Sequence, residues 1–271
     1  MAEGEYVFTN RREEQRRLEC QAELFDPLTE TLFTSAGLAP GMRVLDLGSG
    51  AGDVAMLAAR FTGPEGVVVG VERDGEAVSA ARARIDSAGL RNVHFIQGDV
   101  QTLANVEGGF DAVVGRLVLM YLRDPAAALS RAAELLRPGG LVCFHEGDMA
   151  YDWAHPMTPL WTQVRAWFLA TLERAGVATR MGLSLHRTFL AAGLPTPQQI
   201  LNAGVRAGPE APTWGWANVV GGVVPLMERF GIATQADVQP STLAQRLLED
   251  TVANDGIVIT PPLVGAWTAK A

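Results

Sequence analysis

Three alternate glycines, Gly48, Gly50 and Gly52, follow an apolar run that predicts a buried strand. Glycine tolerates positive φ and lets a ligand approach main chain that a β-carbon would block. A helix predicted over residues 54–61 starts directly after them, so the glycines should lie at the carboxyl end of a parallel strand, beside a helix N-terminus. This pattern predicts a ligand crevice. A tight strand-to-helix turn that binds nothing is the plainer alternative.

The charges around the glycines indicate which ligand they suit. Their spacing is G-x-G-x-G, whereas the dinucleotide fingerprint is G-x-G-x-x-G with a helix N-terminus aimed at a pyrophosphate. Asp46 lies inside the strand, and an acid there suits a cationic ligand better than a pyrophosphate. A second apolar run ends in Glu72, 20 residues beyond Gly52. An acid at that place can accept hydrogen bonds from both ribose hydroxyls of an adenosine, or it simply closes a strand.

Further motifs follow in order. They are a strand that ends in Gly98-Asp99, the run Phe110-Asp111-Ala112-Val113, and Leu136-Arg137-Pro138-Gly139-Gly140 before another apolar strand. With these motifs the chain resembles the class I S-adenosylmethionine-dependent methyltransferases over roughly residues 35–148. Within that superfamily it is most similar to the ubiquinone- and menaquinone-biosynthesis type and its bacterial small-molecule relatives. The motifs are specific for fold and cofactor and weak for the substrate.

The resemblance implies a set of residues that bind S-adenosylmethionine: Tyr6, Asp46, Gly48, Ser49, Gly50, Gly52, Glu72, Arg73, Asp99, Val100 and Arg116. In such enzymes the glycines pack under the methionine and ribose portions, and Asp46 would support the loop or the ligand's ammonium group. Glu72 would hold the ribose hydroxyls. Asp99 would accept from the adenine amino group, with the Val100 amide near the ring. Arg116 could pair with the cofactor's carboxylate in a bidentate way, with a surface salt bridge as the alternative.

The chemistry of the acceptor leaves a weaker trace in the sequence. Methyl transfer is an in-line displacement at a sulfonium methyl, so the enzyme mostly supplies positioning and exclusion of water. Methylation of oxygen or nitrogen usually needs a base near the acceptor. His145 and Glu146 follow the predicted fifth strand and are the candidates for that catalytic role, ahead of His155 and His186. Each of these histidines, taken alone, is more often structural.

Strand and helix patterns alternate over the middle of the chain. They predict an α/β fold with a doubly wound, seven-stranded, mostly parallel sheet, the Rossmann-like methyltransferase fold, with a helical cap. Residues 1–38 are interpreted as an N-terminal helical segment, 39–148 as the cofactor-binding core, and 149–271 as cap helices plus the last strands, all in one compact domain. Tyr6 and Phe8 could fold over the cofactor as a lid, or the segment could serve packing alone.

The last 120 residues or so are less regular. Residues 198–205 are expected to form the sixth strand, and residues 257–260 with 263–268 a hairpin that closes the sheet. Tryptophan and methionine are frequent among the predicted cap helices. They indicate an apolar substrate pocket, although core packing explains most of them.

Composition sets the outer limits. The chain has 271 residues, a hydrophobic fraction of 48% and a net charge of −8. The basic pairs at residues 11–12 and 16–17 are interleaved with Glu13 and Glu14, the pattern of a solvated helix face, and no other basic cluster stands out, so nucleic-acid binding is not expected. No apolar run reaches the roughly 18 residues of a membrane span, and no signal peptide is evident. Cys20 and Cys143 lack metal or redox spacing, so a cytoplasmic protein without a metal site is expected. The oligomeric state stays open, with a homodimer as one option.

These inferences converge on an S-adenosylmethionine-dependent methyltransferase that acts on an oxygen, carbon or nitrogen atom of a small, largely apolar metabolite. Two alternatives stay open. One is an NAD(P)-dependent oxidoreductase on a similar sheet, against which the glycine spacing and Asp46 count. The other is a methyltransferase-like protein that binds the cofactor without catalysis.

Overall fold

The computed structural model describes the backbone of residues 11–271 and the side chains of residues 24–271. The predicted lid residues Tyr6 and Phe8 lie outside the described residues. The strands are β1 (Arg43–Leu47), β2 (Val67–Glu72), β3 (Val93–Gln97), β4 (Phe110–Arg116), β5 (Leu136–Gly147), β6 (Ala154–His155), β7 (Gln198–Asn202), β8 (Val205–Ala207), β9 (Ile257–Ile259) and β10 (Leu263–Ala269). The helices are α1 (Arg11–Ala36), α2 (Asp53–Thr62), α3 (Gly75–Ser87), α4 (Pro125–Glu134), α5 (Pro159–Arg174), α6 (Met181–Ala191), α7 (Thr213–Gly222), α8 (Val224–Arg229), α9 (Gln235–Val238) and α10 (Pro240–Ala253), with short 3-10 turns at Leu119–Tyr121 and Gly208–Glu210.

Seven strands form one sheet in the order β3-β2-β1-β4-β5-β10-β7. The first five of that order pair in parallel, and β10 runs antiparallel to both of its neighbours, β5 and β7. This confirms the predicted seven-stranded, mostly parallel sheet. The chain proceeds from β1 to β2 on one side and returns to β4 on the other. The order therefore reverses between β1 and β4, which opens a crevice at their carboxyl ends.

Neighbouring residues of β10 show that helices cover both faces of the sheet. A Cβ on Gly265 would come within 2.5 Å of Leu32 in α1, whereas a Cβ on Gly182 in α6 would come within 3.0 Å of Val264. Successive side chains of a strand point to opposite faces. The helices α1 and α6 therefore lie on opposite faces, as a doubly wound fold requires.

Apolar runs form the inner strands because both of their faces are covered. In β1, residues 44–47 are all buried, and the strand reads as a near-continuous hydrophobic stretch interrupted by Asp46. The core on the α1 face joins these strands to α2 and α3 through Val44, Leu57 and Val78. A buried acid is destabilising unless it is paired or hydrogen-bonded, so Asp46 calls for a functional explanation.

The chain divides into two compact units. The sheet unit contains Phe25–Gly147, Arg180–Asn202 and Leu263–Ala271. The helical unit contains Asp148–Thr179, Ala203–Pro262 and residues 11–24 of α1. Each unit consists of three separate stretches of the chain, because α6, β7 and β10 return to the sheet after the first part of the helical unit.

The helical unit has a small sheet and an aromatic core of its own. Its strands are ordered β6-β9-β8. The rings of Trp153 and Trp216 stack at 3.7 Å, with Phe168 edge-on to both. These three aromatic side chains are buried. Their role is core packing, the alternative that the sequence left open for most of the cap aromatics.

Two sequence-based expectations about the last strands are wrong. The predicted hairpin does not form, because β9 pairs with β6 and β8 while only β10 joins the main sheet. Pro261 and Pro262 separate the two strands and cannot donate the hydrogen bonds of a ladder. The predicted sixth strand also ends earlier, at Asn202, and Val205–Ala207 belongs to the small sheet.

Candidate cofactor site and the strand ends beside it

The three loop glycines have positive φ, but their surroundings differ. Gly48, Gly50 and Gly52 have φ values of +65°, +50° and +91°. A Cβ on Gly48 would lie 2.5 Å from the Val118 side chain, and one on Gly52 would lie 2.8 Å from the Phe95 ring. A Cβ on Gly50 would meet no atom within 4 Å. Gly48 and Gly52 therefore permit close packing, whereas Gly50 leaves main chain open to a ligand.

Glu72 ties this loop to the end of β2. Its Oε2 accepts a hydrogen bond from the Gly50 amide at 3.1 Å, and its Oε1 accepts from the Asp74 amide at 3.0 Å. Each carboxylate oxygen offers two lone pairs, so both can accept further hydrogen bonds. The half-buried carboxylate thus orders the loop and can still bind hydroxyls.

Asp46 and Ser49 are buried polar groups without a hydrogen-bond partner among the described residues. This holds for both oxygens of the Asp46 carboxyl and for the Ser49 hydroxyl. Burial raises the pKa of Asp46 well above its ordinary value; the Arg116 guanidinium and the nearby Ala55 backbone amide, which lies outside hydrogen-bond geometry, oppose the shift, and Glu72 and Asp53 add to it. Unsatisfied polar groups in a protein interior call for an explanation, and a bound ligand that supplies the partner is one.

The residues predicted to hold the adenine lie after β3. Asp99 is exposed, and its Oδ1 accepts from the Gln101 amide at 2.8 Å, while Val100 is buried. Arg73 is exposed beyond β2, and its carbonyl accepts from the Gln97 side chain at 3.1 Å. These contacts order the two strand ends and leave the predicted adenine contacts as predictions.

Arg116 has partners within the fold. Its Nη1 donates to Asp26 Oδ1 at 2.9 Å and to Thr29 Oγ1 at 3.1 Å, both on α1. The guanidinium side chain is only 5% exposed. Arg116 therefore forms a salt bridge, the alternative to a cofactor contact, but this salt bridge is buried rather than on the surface. A contact between Arg116 and the cofactor's carboxylate stays a prediction, and it would have to use the other guanidinium nitrogens.

His145 is buried on the face of the sheet that packs against α1, the face on which Arg116 also lies. Its Nδ1 lies 3.1 Å from Thr29 Oγ1, whose own proton goes to the Phe25 carbonyl at 3.0 Å. We therefore assign the proton of the neutral ring to Nδ1. Nε2 has no partner among the described residues. Burial, followed by the charge of Arg116, lowers the pKa of His145 to about 3, far from the value that suits a general base near neutral pH.

Glu146 lies on the opposite face and is also buried. Its Oε1 accepts from the backbone amides of Val118 and Leu119 at 2.9 and 2.7 Å, and its Oε2 accepts from the Met120 amide at 3.4 Å. Burial raises the pKa of Glu146 to about 7, against the opposing effect of these three amides. The pKa would suit a base, but the contacts are those of a structural acceptor.

Four further residues complete the surroundings of the loop, and sequence reasoning did not identify them: Asp26, Thr29, Arg84 and Val118. Arg84 in α3 donates to the Ala51 carbonyl and to Asp53, each at 2.6 Å, and so fixes the far side of the glycine loop. Such contacts join separate helices and leave no local signal. The one indication in the sequence was Asp53, an acid at the first position of α2.

Two absences concern the described part of the chain only. Among residues with described side chains, no group of three or more His, Cys, Asp or Glu could hold a metal ion. In the same part, no helix combines the length and the apolar character needed to cross a bilayer.

Fold and site together define a class of protein. The sheet has seven strands with β10 antiparallel, and the G-x-G-x-G loop is accompanied by an acid inside β1 and another at the end of β2. This is the architecture of class I methyltransferases. The chain belongs to the methyltransferase domain family, whose model matches residues 38–180. Membership implies S-adenosylmethionine as the cofactor. Gly50 with its open side and the unpartnered Asp46 and Ser49 fit that group.

Curated relatives with stated activities match the chain over less than half of its length. An arsenite methyltransferase of Aquipseudomonas alcaligenes is 36% identical over 42% of this chain and 35% of its own length. Aklanonic acid methyltransferase of a Streptomyces strain is 33% identical over 45% of this chain and 56% of its own. The chain spans between 28% and 59% of the length of the first curated relatives it matches.

Solved structures agree on the fold. An S-adenosylmethionine-dependent methyltransferase from Aquifex aeolicus superposes with a TM-score of 0.53 at 19% identity, covering 74% of this chain and 92% of its own. The [4+2]-cyclase SpnF superposes with a TM-score of 0.52 at 18% identity, covering 90% and 80%. A cyclase with this fold shows that the fold is not restricted to methyl transfer, so function must be argued from the site.

Proposed function

We propose that the protein transfers the methyl group of S-adenosylmethionine to a small, largely apolar metabolite. The observation that carries the proposal is the glycine loop. Gly50 leaves main chain open, Glu72 holds that loop through the Gly50 amide, and Asp46 and Ser49 bring buried polar groups that lack partners. A cationic ligand that carries hydroxyl groups would fit the open main chain and supply partners for these polar groups.

Each of the chain's own groups has a task in this proposal. Glu72 accepts hydrogen bonds from the ribose hydroxyls, and Asp46 as a carboxylate offsets the ligand's positive charge. Asp99 accepts from the adenine amino group, and Val100 and Arg73 border that end. When bound, S-adenosylmethionine supplies an electrophilic methyl group. The protein contributes positioning and exclusion of water, which are the main requirements of an in-line displacement.

We propose that neither His145 nor Glu146, the two buried candidates in β5, acts as a catalytic base. The low pKa of His145 makes it a poor proton acceptor near neutral pH, and the Glu146 carboxylate is already used by three backbone amides. An acceptor that is readily ionised, such as a phenol or a carboxylic acid, needs no strong base from the protein. This favours acidic acceptor groups over aliphatic alcohols.

The thiol content helps to choose between the two kinds of relative. Arsenite is a soft, thiol-seeking species, and soft centres are bound by thiolates. The chain has two cysteines, and Cys143 is fully buried in β5, where burial raises the pKa of its thiol. An organic acceptor of the polyketide kind fits this chain better than arsenite. Two cysteines, one a buried free thiol, also support the proposal of a cytoplasmic protein.

Calorimetric titration of S-adenosylmethionine, S-adenosylhomocysteine, NADH and NADPH tests the cofactor. We expect affinity on the order of micromolar for the two sulfur compounds and none for the nicotinamides. Binding of a nicotinamide alone would overturn the proposal. Incubation with methyl-labelled S-adenosylmethionine and a panel of aromatic polyketide acids, quinols and arsenite then tests the substrate class, with label expected in an organic acid or phenol. Conversion without label transfer would place the chain with the non-methylating members of the fold.

A further inference from the structure

The carboxylate of Glu146 connects β5 with the segment after β4. It is fully buried and accepts hydrogen bonds from three consecutive amides, those of Val118, Leu119 and Met120. A buried carboxylate is destabilising unless its lone pairs are used, and one placed against consecutive amides fixes that stretch of backbone. The path of residues 118–120 therefore depends on a side chain 26 to 28 positions further along the chain.

The same stretch begins with an unfavourable backbone conformation. Leu117 has φ +53°, in the left-handed region that non-glycine residues rarely adopt. Such a residue persists only where its surroundings hold it. The Leu117 amide donates to the His145 carbonyl at 2.9 Å, so main chain and side chain of consecutive β5 residues together hold the turn.

Val118 passes this restraint on to the glycine loop. A Cβ on Gly48 would lie 2.5 Å from Val118 Cγ2, which means that the valine fills the space directly above that glycine. On its other side Val118 packs near Gly115 of β4, where a Cβ would lie 3.0 Å from its Cγ1. The Val118 side chain thus has little freedom to move without shifting the loop at Gly48.

We propose that Glu146 is a positioning residue for cofactor binding: it holds residues 118–120 and, through Val118, the glycine loop in the geometry that binds S-adenosylmethionine. The inference rests on the proposed function. It replaces the expectation that Glu146 acts as a base, because the carboxylate contacts backbone amides and is shielded from solvent. The ionised form is the one that can accept all three hydrogen bonds.

The test compares four variants by calorimetric titration of S-adenosylhomocysteine at pH 8. Glu146→Gln keeps the shape but loses the charge and one acceptor, and we expect affinity to fall about tenfold. Val118→Ala removes the contact with Gly48 and should weaken binding about threefold to tenfold. If Glu146 acts through Val118, the double variant should bind no more than about twofold more weakly than Val118→Ala, since the pathway is already cut.

Asp111→Asn is the matched control. Its carboxylate also accepts a backbone amide, that of Arg43 at 2.7 Å, but at the opposite end of the strands. It should lower the unfolding temperature without changing the affinity. A merely structural role for Glu146 would make Glu146→Gln behave like this control, or make the two single effects multiply in the double variant. Either result would overturn the proposal.

A measurement on the unaltered chain covers the case in which Glu146→Gln does not fold. Hydrogen exchange of a peptide that contains Val118–Met120 should slow several-fold when S-adenosylhomocysteine binds, because the loop and this turn are ordered together. Unchanged exchange there, with slowed exchange in the glycine loop, would refute the link. Failure of the wild-type chain to bind either sulfur compound is a different result, because it would reject the proposed function itself.

Discussion

The glycine loop and the turn after β4 face each other at the same end of the sheet, yet their polar groups are in opposite states. In the loop, the Asp46 carboxyl and the Ser49 hydroxyl lack partners among the described residues. In the turn, the Glu146 carboxylate is occupied by amides of the chain itself. A buried group without partners calls for an explanation, and a bound ligand is one, whereas a group whose oxygens already accept hydrogen bonds from the chain can serve as support. The difference separates binding from support.

The largest effect that would sharpen this comparison is expected at Gly50. In Gly50→Ala the new methyl meets nothing, so the cost in stability is only the positive φ, about 1–2 kcal/mol. The same methyl projects into the open side of the loop, and affinity for S-adenosylhomocysteine should fall by about 100-fold. Calorimetric titration and urea unfolding measure the two quantities.

Gly48→Ala is the counterpart on the scaffold side. Its methyl would lie 2.5 Å from Val118, so we expect a loss of about 2–4 kcal/mol in stability from overpacking and positive φ together. Equal losses of stability in the two variants, or unchanged affinity in Gly50→Ala, would contradict the division of roles between these glycines.

Glu72 and Asp99 should differ by less. Glu72→Ala removes the acceptor of the Gly50 amide as well as the proposed ribose contact, and affinity should fall about 10- to 100-fold. Asp99 is exposed, so Asp99→Ala should weaken binding about twofold to tenfold. Glu65→Ala, at an exposed turn before β2, is the control and should bind normally. A larger effect at Asp99 than at Glu72 would reverse the assignment.

The sequence predicted the glycine loop but not the contacts that support it. The loop glycines and the acid at the end of β2 form a local pattern whose geometry follows from strand, turn and helix, and their elements were predicted correctly. The partners of Arg116 could not be predicted, since Asp26 lies 90 positions away, on helix α1. The partners of Glu146 are backbone amides, which carry no side-chain signature at all. The hairpin expectation failed because pairing partners of short strands are chosen by tertiary contacts.

His145 should make the protein sensitive to acid. Its pKa is about 3 in the folded chain and about 6.5 when unfolded, so the unfolded state binds the proton first as the pH falls. Stability is lost on acidification below about pH 6.5, and the loss between pH 8 and pH 5 is about 2 kcal/mol. His145→Gln should remove this part of the pH dependence in urea unfolding.

The difference between wild type and variant is the informative quantity, because the raised pKa of Glu146 acts in the opposite direction over the same range. His94→Gln, which changes an exposed histidine of β3, should keep the acid-side loss. If His145→Gln retained the full loss, the histidine would have to be solvated or already charged in the folded state.

The smallest expected effect is a proton released when the cofactor binds. Burial keeps the pKa of Asp46 well above its ordinary value, so the carboxyl is protonated more readily than a solvated one. A cationic ligand favours the ionised form, and binding should therefore release up to about one proton, with affinity that rises as pH increases. Calorimetry in buffers of different ionisation enthalpy measures that number directly. Asp46→Asn should abolish the release, whereas Glu146→Gln should keep it. If Asp46→Asn still released the proton, another group would respond to the ligand's charge. The contrast between the glycine loop and the turn after β4 could then no longer be based on Asp46.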